Sequence, residues 1–235
     1  MWKFFIITVC VMITVLFSGC KQNKIMISGK IENCDNRYCV LMQILPEEAV
    51  VVDTILLFNG KFSARIKSDD VGVYLLKFSD DDFISFIAMP KDELVFSGNI
   101  NNLTQTCEVK GNEESELLLE TNRKLNNLYK DIEPLSKEFV NHTYSDDFDS
   151  INKILDSSYN VLVEKHRQYL VDFIVSNPDK LVSLFAFYQG VGYHTFFSVN
   201  EDRDLLEMIY SGISKKYPNS IHVNYLREKL KGEDD

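Results

Sequence analysis

The sequence predicts an α+β fold, an N-terminal antiparallel β-sandwich or barrel followed by an all-α domain built around a long antiparallel helix pair. Three observations predict it. Short apolar segments separated by turn residues run from Ile25 to Gly111; Asn59-Gly60 sits between two of them; and after Gly111 the apolar spacing changes to steps of three and four. Eight short strands follow from the first pattern. Ile25–Ile31 alternates in part, Cys39–Leu45 stops at Pro46, and Val50–Phe58 leads into Asn59-Gly60, where both positions tolerate positive φ as a two-residue hairpin requires. Lys61–Ile66 places Phe62, Ala64 and Ile66 on one face. Val73–Phe78, Phe83–Ala88, Glu93–Ser97 and Thr106–Val109 complete the set, and strands of that length and spacing point to a sandwich or barrel.

The helical part is read from its stripes. Leu118, Thr121, Leu125, Leu128, Ile132, Leu135 and Phe139 line one face of a long helix, with Pro134 inside it as an expected kink. Phe148, Ile151, Leu155, Tyr159, Leu162, His166, Tyr169 and Phe173 line a second, capped near Ser145 or Asp146 and ended by Asn177-Pro178. A link as short as Asn141–Ser145 makes the two antiparallel neighbours. Leu181–Tyr188, Asp202–Lys216 and Ile221–Leu230 read as shorter helices, giving a β domain over residues 25–111 and a helical domain over 112–231.

The N-terminus predicts a cell address. Met1-Trp2-Lys3 is a short cationic start, and Phe4–Phe17 is an apolar run of 14 residues. At about 1.5 Å per residue it spans roughly 21 Å, short of a bilayer core of about 30 Å, so it reads as a signal peptide over residues 1–19. Leu16-Phe17-Ser18-Gly19-Cys20 resembles a bacterial lipobox, which makes Cys20 the lipidated first residue of a mature chain, with residues 20–24 as tether and 232–235 as an acidic tail. Lys21-Gln22-Asn23-Lys24 has no Asp directly after the cysteine and no acidic cluster, which favours the periplasmic face of the outer membrane. With 35 acidic and 25 basic side chains the sequence carries a formal charge of −10, and no Lys or Arg run offers a groove for nucleic acid or a face for anionic lipid. The predicted membrane attachment therefore rests on the lipid at Cys20 alone.

Candidate chemistry is sparse. Cys34 and Cys39 flank a four-residue turn that can bring their Cα atoms within disulfide range; a structural disulfide and two free thiols both fit the spacing, while a redox pair lacks the C-x-x-C at a helix start that lowers a thiol pKa. Cys107 reads as a small buried hydrophobe. His142, His166, His194 and His222 form no metal-binding constellation, and His166 falls on a core stripe. The segment around Gly190–Phe197 gathers Tyr188, Tyr193, His194, Phe196 and Phe197, a candidate binding loop for a small molecule or, more simply, an interhelical loop packed on its own aromatics. Asp80-Asp81-Asp82 lacks the alternating ligands of a calcium loop, no Gly-x-Ser-x-Gly elbow is present, and Glu113-Glu114 suit the first turn of a helix through its dipole. No cofactor, metal or catalytic residue is predicted.

Several segments in order resemble one module. Ile27-Ser28-Gly29-Lys30-Ile31, Val52-Asp53-Thr54, Asn59-Gly60-Lys61-Phe62, the run Ile87–Gly98 and Val109-Lys110-Gly111 are similar to the N-terminal domain of unknown function that precedes the thioredoxin-like domain in lipid-anchored bacterial thiol–disulfide oxidoreductases of the alkyl-hydroperoxide-reductase/TSA type. Leu181–Ala186 and Lys216–Ser220 resemble helical segments of the same proteins. The W-C-x-x-C of their catalytic domain has no counterpart, since the single Trp is Trp2, so no catalytic residue is carried over. The resemblance implies a non-catalytic, lipid-anchored binding or scaffold module. Two other functions follow as expectations: an accessory subunit for a separate thioredoxin-like oxidoreductase, and a small-molecule binder.

Overall fold

A computed structural model describes residues 23–232 except residue 36; the predicted signal peptide and Cys20 lie outside the described residues, as does most of the acidic tail. Eight strands occupy the N-terminal part: β1 (Lys24–Glu32), β2 (Tyr38–Ile44), β3 (Ala49–Leu56), β4 (Lys61–Lys67), β5 (Gly72–Lys77), β6 (Phe83–Ala88), β7 (Glu93–Asn99) and β8 (Glu108–Lys110). They form two four-stranded sheets, ordered β4-β1-β7-β8 and β3-β2-β5-β6. Alternation along the strands aims Ile25, Ile27 and Ile31 of β1, Phe62 and Ile66 of β4, and Leu94 and Phe96 of β7 into the space between the sheets. Leu41, Ile55, Tyr74, Leu76, Ile84 and Phe86 meet them from the other side. Phe86 stacks on Tyr74 at 5.4 Å between centroids and meets the edge of Phe96 at 5.2 Å.

The Asn59-Gly60 turn forms as expected, with φ of 51° and 71°. Phe58 and Lys61 exchange backbone hydrogen bonds of 3.0 Å across it. Gly60 is required twice over, because a Cβ there would lie 2.2 Å from the Ile31 carbonyl oxygen.

Three details depart from the sequence reading. β1 and β7 pair in parallel, although every other pair of the two large sheets is antiparallel. After β1 the chain lays down β2 and β3 in the second sheet and returns as β4, antiparallel on one side of β1. It then adds β5 and β6 to the second sheet and returns as β7, parallel on the other side of β1. Second, β1 begins at Lys24, inside the predicted tether. Third, Thr106 does not start a strand: Ile100–Asn102 and α1 (Leu103–Thr106) are helical turns, started by the Asn99 side chain accepting from the Asn101 N–H. β3 lies at a sheet edge and leaves Val50, Val51 and Val52 exposed, with a bulge where Leu41 opposes Asp53 and Met42 opposes Val51.

The helical part comprises α2 (Glu113–His142), α3 (Phe148–Ser176), α4 (Leu181–Phe187), α5 (Arg203–Lys216) and α6 (Ile221–Gly232), with a two-residue hairpin of β9 (Gly190–Val191) and β10 (His194–Thr195) between α4 and α5. α2 continues through Pro134. Its cap is Asn112, whose side chain accepts from the Ser115 N–H; α3 starts after Asp147 rather than Ser145 or Asp146. The two long helices run antiparallel: Lys124 lies over the Tyr169 ring near one end, and Phe139 meets Phe148 edge-on at 5.5 Å at the other.

The helices cover the outer face of the β3-β2-β5-β6 sheet. Val73 and Ile87, which point away from the sandwich core, share a second core with Leu118, Leu170, Leu181, Phe187, Ile209 and Leu226. Ser115 fixes the register, since its hydroxyl accepts from the Ile87 N–H at 3.1 Å and donates to the Ile87 carbonyl. Asn122 reaches the Ser85 hydroxyl at 2.8 Å two helical turns further on.

Glu114 ties the rest together. It is 3% exposed, and its carboxylate accepts from the Tyr217 hydroxyl at the end of α5 and from the Val182 N–H at the start of α4, 3.1 Å away. The Lys216 ammonium stands 3.4 Å away. α4 is a helix of only seven residues, and Glu114 satisfies one of its orphan N–H groups.

Candidate binding groove

A groove opens where the β2–β3 turn meets the faces of α4 and α6. On the sheet side Pro46 ends β2, and the Leu45 N–H donates to the Glu48 carbonyl at 2.8 Å, which closes the turn and holds it up as one wall. α4 contributes Leu184, Phe185 and Tyr188, and α6 contributes His222, Tyr225, Leu226 and Lys229, around a cavity of about 480 Å³. A wider, shallower cavity of about 870 Å³ continues from it, sharing Leu45, Pro46 and Tyr225 and reaching Glu47, Glu48 and Glu228. The α6 wall is held by Arg227, whose Nε donates to the Tyr210 hydroxyl of α5 at 2.9 Å.

Most of the lining is apolar, with few polar groups, which is the usual composition of a ligand site. One of those polar groups is His222. Its ring is 6% exposed, meets Phe185 edge-on at 5.5 Å, and leaves Nε2 without a hydrogen-bond partner among the described residues. Burial pushes its pKa below the ordinary histidine value, against an opposing backbone hydrogen bond at Ile44, and so favours the neutral ring. Two turns further along the same helix, the exposed Lys229 ammonium lies 5.3 Å from the Tyr225 ring centroid.

The five aromatics expected to form a binding loop are divided by the fold. Phe196 and Phe197 turn inward as core: Phe197 stacks on Phe187 at 5.2 Å, and Phe196 lies 4.8 Å from His166. Tyr193 and His194 flank or form the outer end of the β9–β10 hairpin and are exposed, with Gly192 at a φ of 60° supplying the turn. The expectation that the five line one pocket is therefore corrected. The hairpin turn carries Tyr193 and His194 outward together, the segment after it packs Phe196 and Phe197 inward together, and Tyr188, at the end of α4, lines the groove with His222.

His166 is the buried structural residue that its stripe predicts, with Nε2 3.3 Å from the Gln189 side-chain oxygen and burial lowering its pKa. The Asp80-Asp81-Asp82 turn is closed internally: Asp80 pairs with Lys77 at 2.7 Å, and Asp82 accepts from the Ser79 hydroxyl at 2.8 Å. Among the described residues no cluster of His, Cys, Asp and Glu could hold a metal ion.

Cys34, Cys39 and Cys107 are all free thiols and all buried. Cys34 and Cys39, whose spacing fits a disulfide or two free thiols, stand in the structure as thiols within the sandwich core. Burial, with a smaller contribution from neighbouring Cys34, pushes Cys39 up to about 12, and burial raises Cys34 as well. Cys107 is pushed up to about 12 for the same reason, opposed by the nearby Arg123 cation. The thiolate is the reactive form, so these surroundings suppress exchange chemistry.

The architecture defines an eight-stranded sandwich with a helical layer on one sheet, in an α+β chain. Within it, residues 25–118 match the model of a family described as a domain of unknown function (DUF4369). The match runs past Gly111 to Leu118, and so includes the first turns of α2 where Glu114 and Ser115 lock the helix to the sheet. Searches of curated proteins and of solved structures found no match.

Proposed function

We propose that this protein is a non-catalytic binding module, held on the bacterial cell envelope by a lipid on Cys20, that recognises its partner in the groove between the β2–β3 turn and helices α4 and α6. The observation that carries the reading is the groove itself: an apolar cleft built jointly by both halves of the chain, with the His222 ring in its wall. The attachment is assigned to the acylated cysteine because Leu16-Phe17-Ser18-Gly19-Cys20 resembles a lipobox. Two or more acyl chains hold a protein stably on a bilayer where one does not. The periplasmic face of the outer membrane is the proposed location. A second reading, in which the partner is a separate thioredoxin-like oxidoreductase, is favoured by the DUF4369 match at residues 25–118 together with the resemblance of that segment to the domain that precedes thioredoxin-like domains.

The neutral dye Nile red tests the groove. Its blue-shifted fluorescence should saturate at one dye per chain, weaken at least fivefold in the double variant Tyr188→Ala/Tyr225→Ala, and stay unchanged in Val161→Ser on the exposed side of α3. Equal binding by all three proteins would reject the groove as the site. For the anchor, cells fed radiolabelled palmitate should label the wild type and leave Cys20→Ala unlabelled; label on the variant would sink the lipoprotein reading.

A further inference from the structure

We infer that the outer face of the β4-β1-β7-β8 sheet, on its β4 and β1 side, rests on a bilayer that contains anionic phospholipid. The inference deepens the reading that Cys20 carries the lipid, by giving the anchored protein an orientation. Ile25, Ile27, Phe62 and Ile66 point into the sandwich core, so alternation sends Lys24 and Lys30 of β1 and Lys61, Arg65 and Lys67 of β4 to the outer face. Register then sets like beside like: Lys24 stands opposite Lys67, and Lys30 opposite Lys61. Like charges directly opposite destabilise a sheet, and none of the five cations has a carboxylate partner among the described residues. No run of Lys or Arg marks this face in the sequence, because buried residues interleave its cations and two strands contribute them.

The carboxylates of this face lie away from that cluster. Glu32 ends β1, and Glu93 and Glu108 lie on β7 and β8, the latter with Lys110, so positive charge concentrates toward β4. At the rim, Asp69 accepts from the Asn23 side chain at 3.4 Å, and the Lys91 N–H donates to the Lys24 carbonyl at 2.9 Å, which leaves one charge of each sign there. Phe58, paired with Lys61 across the Asn59-Gly60 turn, is 69% exposed, an apolar ring beside cations as the surface of a bilayer favours. The anchor brings this face to the membrane. β1 begins four residues after Cys20, and four residues of chain reach at most about 14 Å. That reach is comparable to the Debye length of about 10 Å at 0.1 M salt, so the face feels the potential of an anionic leaflet. The sequence as a whole carries −10, so the same leaflet repels the rest of the molecule. The helices cover the other sheet, and in this orientation they stand away from the lipid.

The test couples the full mature chain through the Cys20 thiol to maleimide lipid in vesicles, since Cys34, Cys39 and Cys107 are buried. One set of vesicles is phosphatidylcholine, and the other contains about one-third phosphatidylglycerol. Mass spectrometry follows lysine acetylation residue by residue. On the anionic vesicles Lys30, Lys61 and Lys67 should react about threefold more slowly than on the neutral ones, while the exposed Lys137 and Lys153 of the long helices should change less than about 1.5-fold. Raising salt to about 500 mM should remove most of the difference. Lys61→Glu/Arg65→Glu/Lys67→Glu sets opposite charges against Lys24 and Lys30 in the sheet, so it should keep its circular dichroism spectrum and lose the protection of Lys30. The milder Lys61→Gln/Lys67→Gln should lose about half of it. Equal acetylation on both vesicles, protection of Lys137 and Lys153 as strong as that of Lys61, or protection retained in the triple variant would overturn the inference. Equal protection by soluble hexametaphosphate added to neutral vesicles would contradict the bilayer as occupant. The coupling stands in for the acyl chains, so any of these failures leaves the lipoprotein reading intact, and the palmitate experiment decides that reading separately.

Discussion

Glu114→Ala should lower the unfolding free energy by about 3–4 kcal/mol, measured by urea denaturation followed by circular dichroism. The substitution strands several groups at once. The buried Tyr217 hydroxyl loses its acceptor, the Val182 N–H at the start of α4 loses its only side-chain partner, and a void opens where the carboxylate stood. Each buried orphan costs about 1–3 kcal/mol. The Lys216 ion pair adds little, because that ammonium is more than one-third exposed and well screened. Glu114→Gln is the informative control. It keeps an acceptor oxygen but places an NH₂ against one donor, so a loss of about half the alanine value is expected. A loss below about 1 kcal/mol for Glu114→Ala would mean that the buried cluster does not hold helices α2, α4 and α5 together.

Phe86→Ala should be equally severe, at about 3–5 kcal/mol. The ring is fully buried at the centre of the sandwich, between Tyr74 and Phe96, so truncation leaves a cavity that these two aromatic walls cannot close. Its aromatic contacts contribute about 0.5–1.5 kcal/mol beyond the area they bury. The same strand supplies the comparison. Phe83 points to the opposite face and is 48% exposed, so Phe83→Ala should cost under about 1 kcal/mol with an unchanged urea slope. Similar losses at both positions would contradict the assignment of β6 faces.

Much of the β region was legible because strand alternation and turn chemistry are local. Phe62, Ala64 and Ile66 share a face in the sequence and in the sheet, and Asn59-Gly60 specifies its turn through backbone conformation alone. The long helices were equally legible, since a stripe such as Leu118, Thr121 and Leu128 needs no knowledge of what it packs against. The parallel pairing of β1 with β7 was not, because 67 residues separate Met26 from its partner Glu93 and nothing in either strand encodes direction.

The site was less legible than the fold. Glu114 reads as a first-turn acid suited to the helix dipole, and it occupies that place, but its partners Val182 and Tyr217 lie 68 and 103 residues away. His222 carried a signal that could have found it. With Leu226 and Leu230 it forms an i, i+4, i+8 row on the buried face of α6, which makes it a histidine on an apolar stripe. The groove had no sequence signature, because its walls come from a turn and two helices that meet only in three dimensions. The aromatic cluster at Tyr188–Phe197 stands out by composition, but the fold buries Phe196 and Phe197, leaves Tyr193 and His194 exposed and gives the groove Tyr188 alone of the five.

The central claim is that the seam between the two halves, rather than the aromatic hairpin, is the recognition surface. Amide chemical-shift mapping of the ¹⁵N-labelled protein titrated with Nile red tests it most directly. Shifts should concentrate on residues 44–48, 184–188 and 221–229, the walls of the groove. Shifts concentrated on residues 190–195 of the β9–β10 hairpin, or scattered over the exposed faces of the long helices, would contradict it.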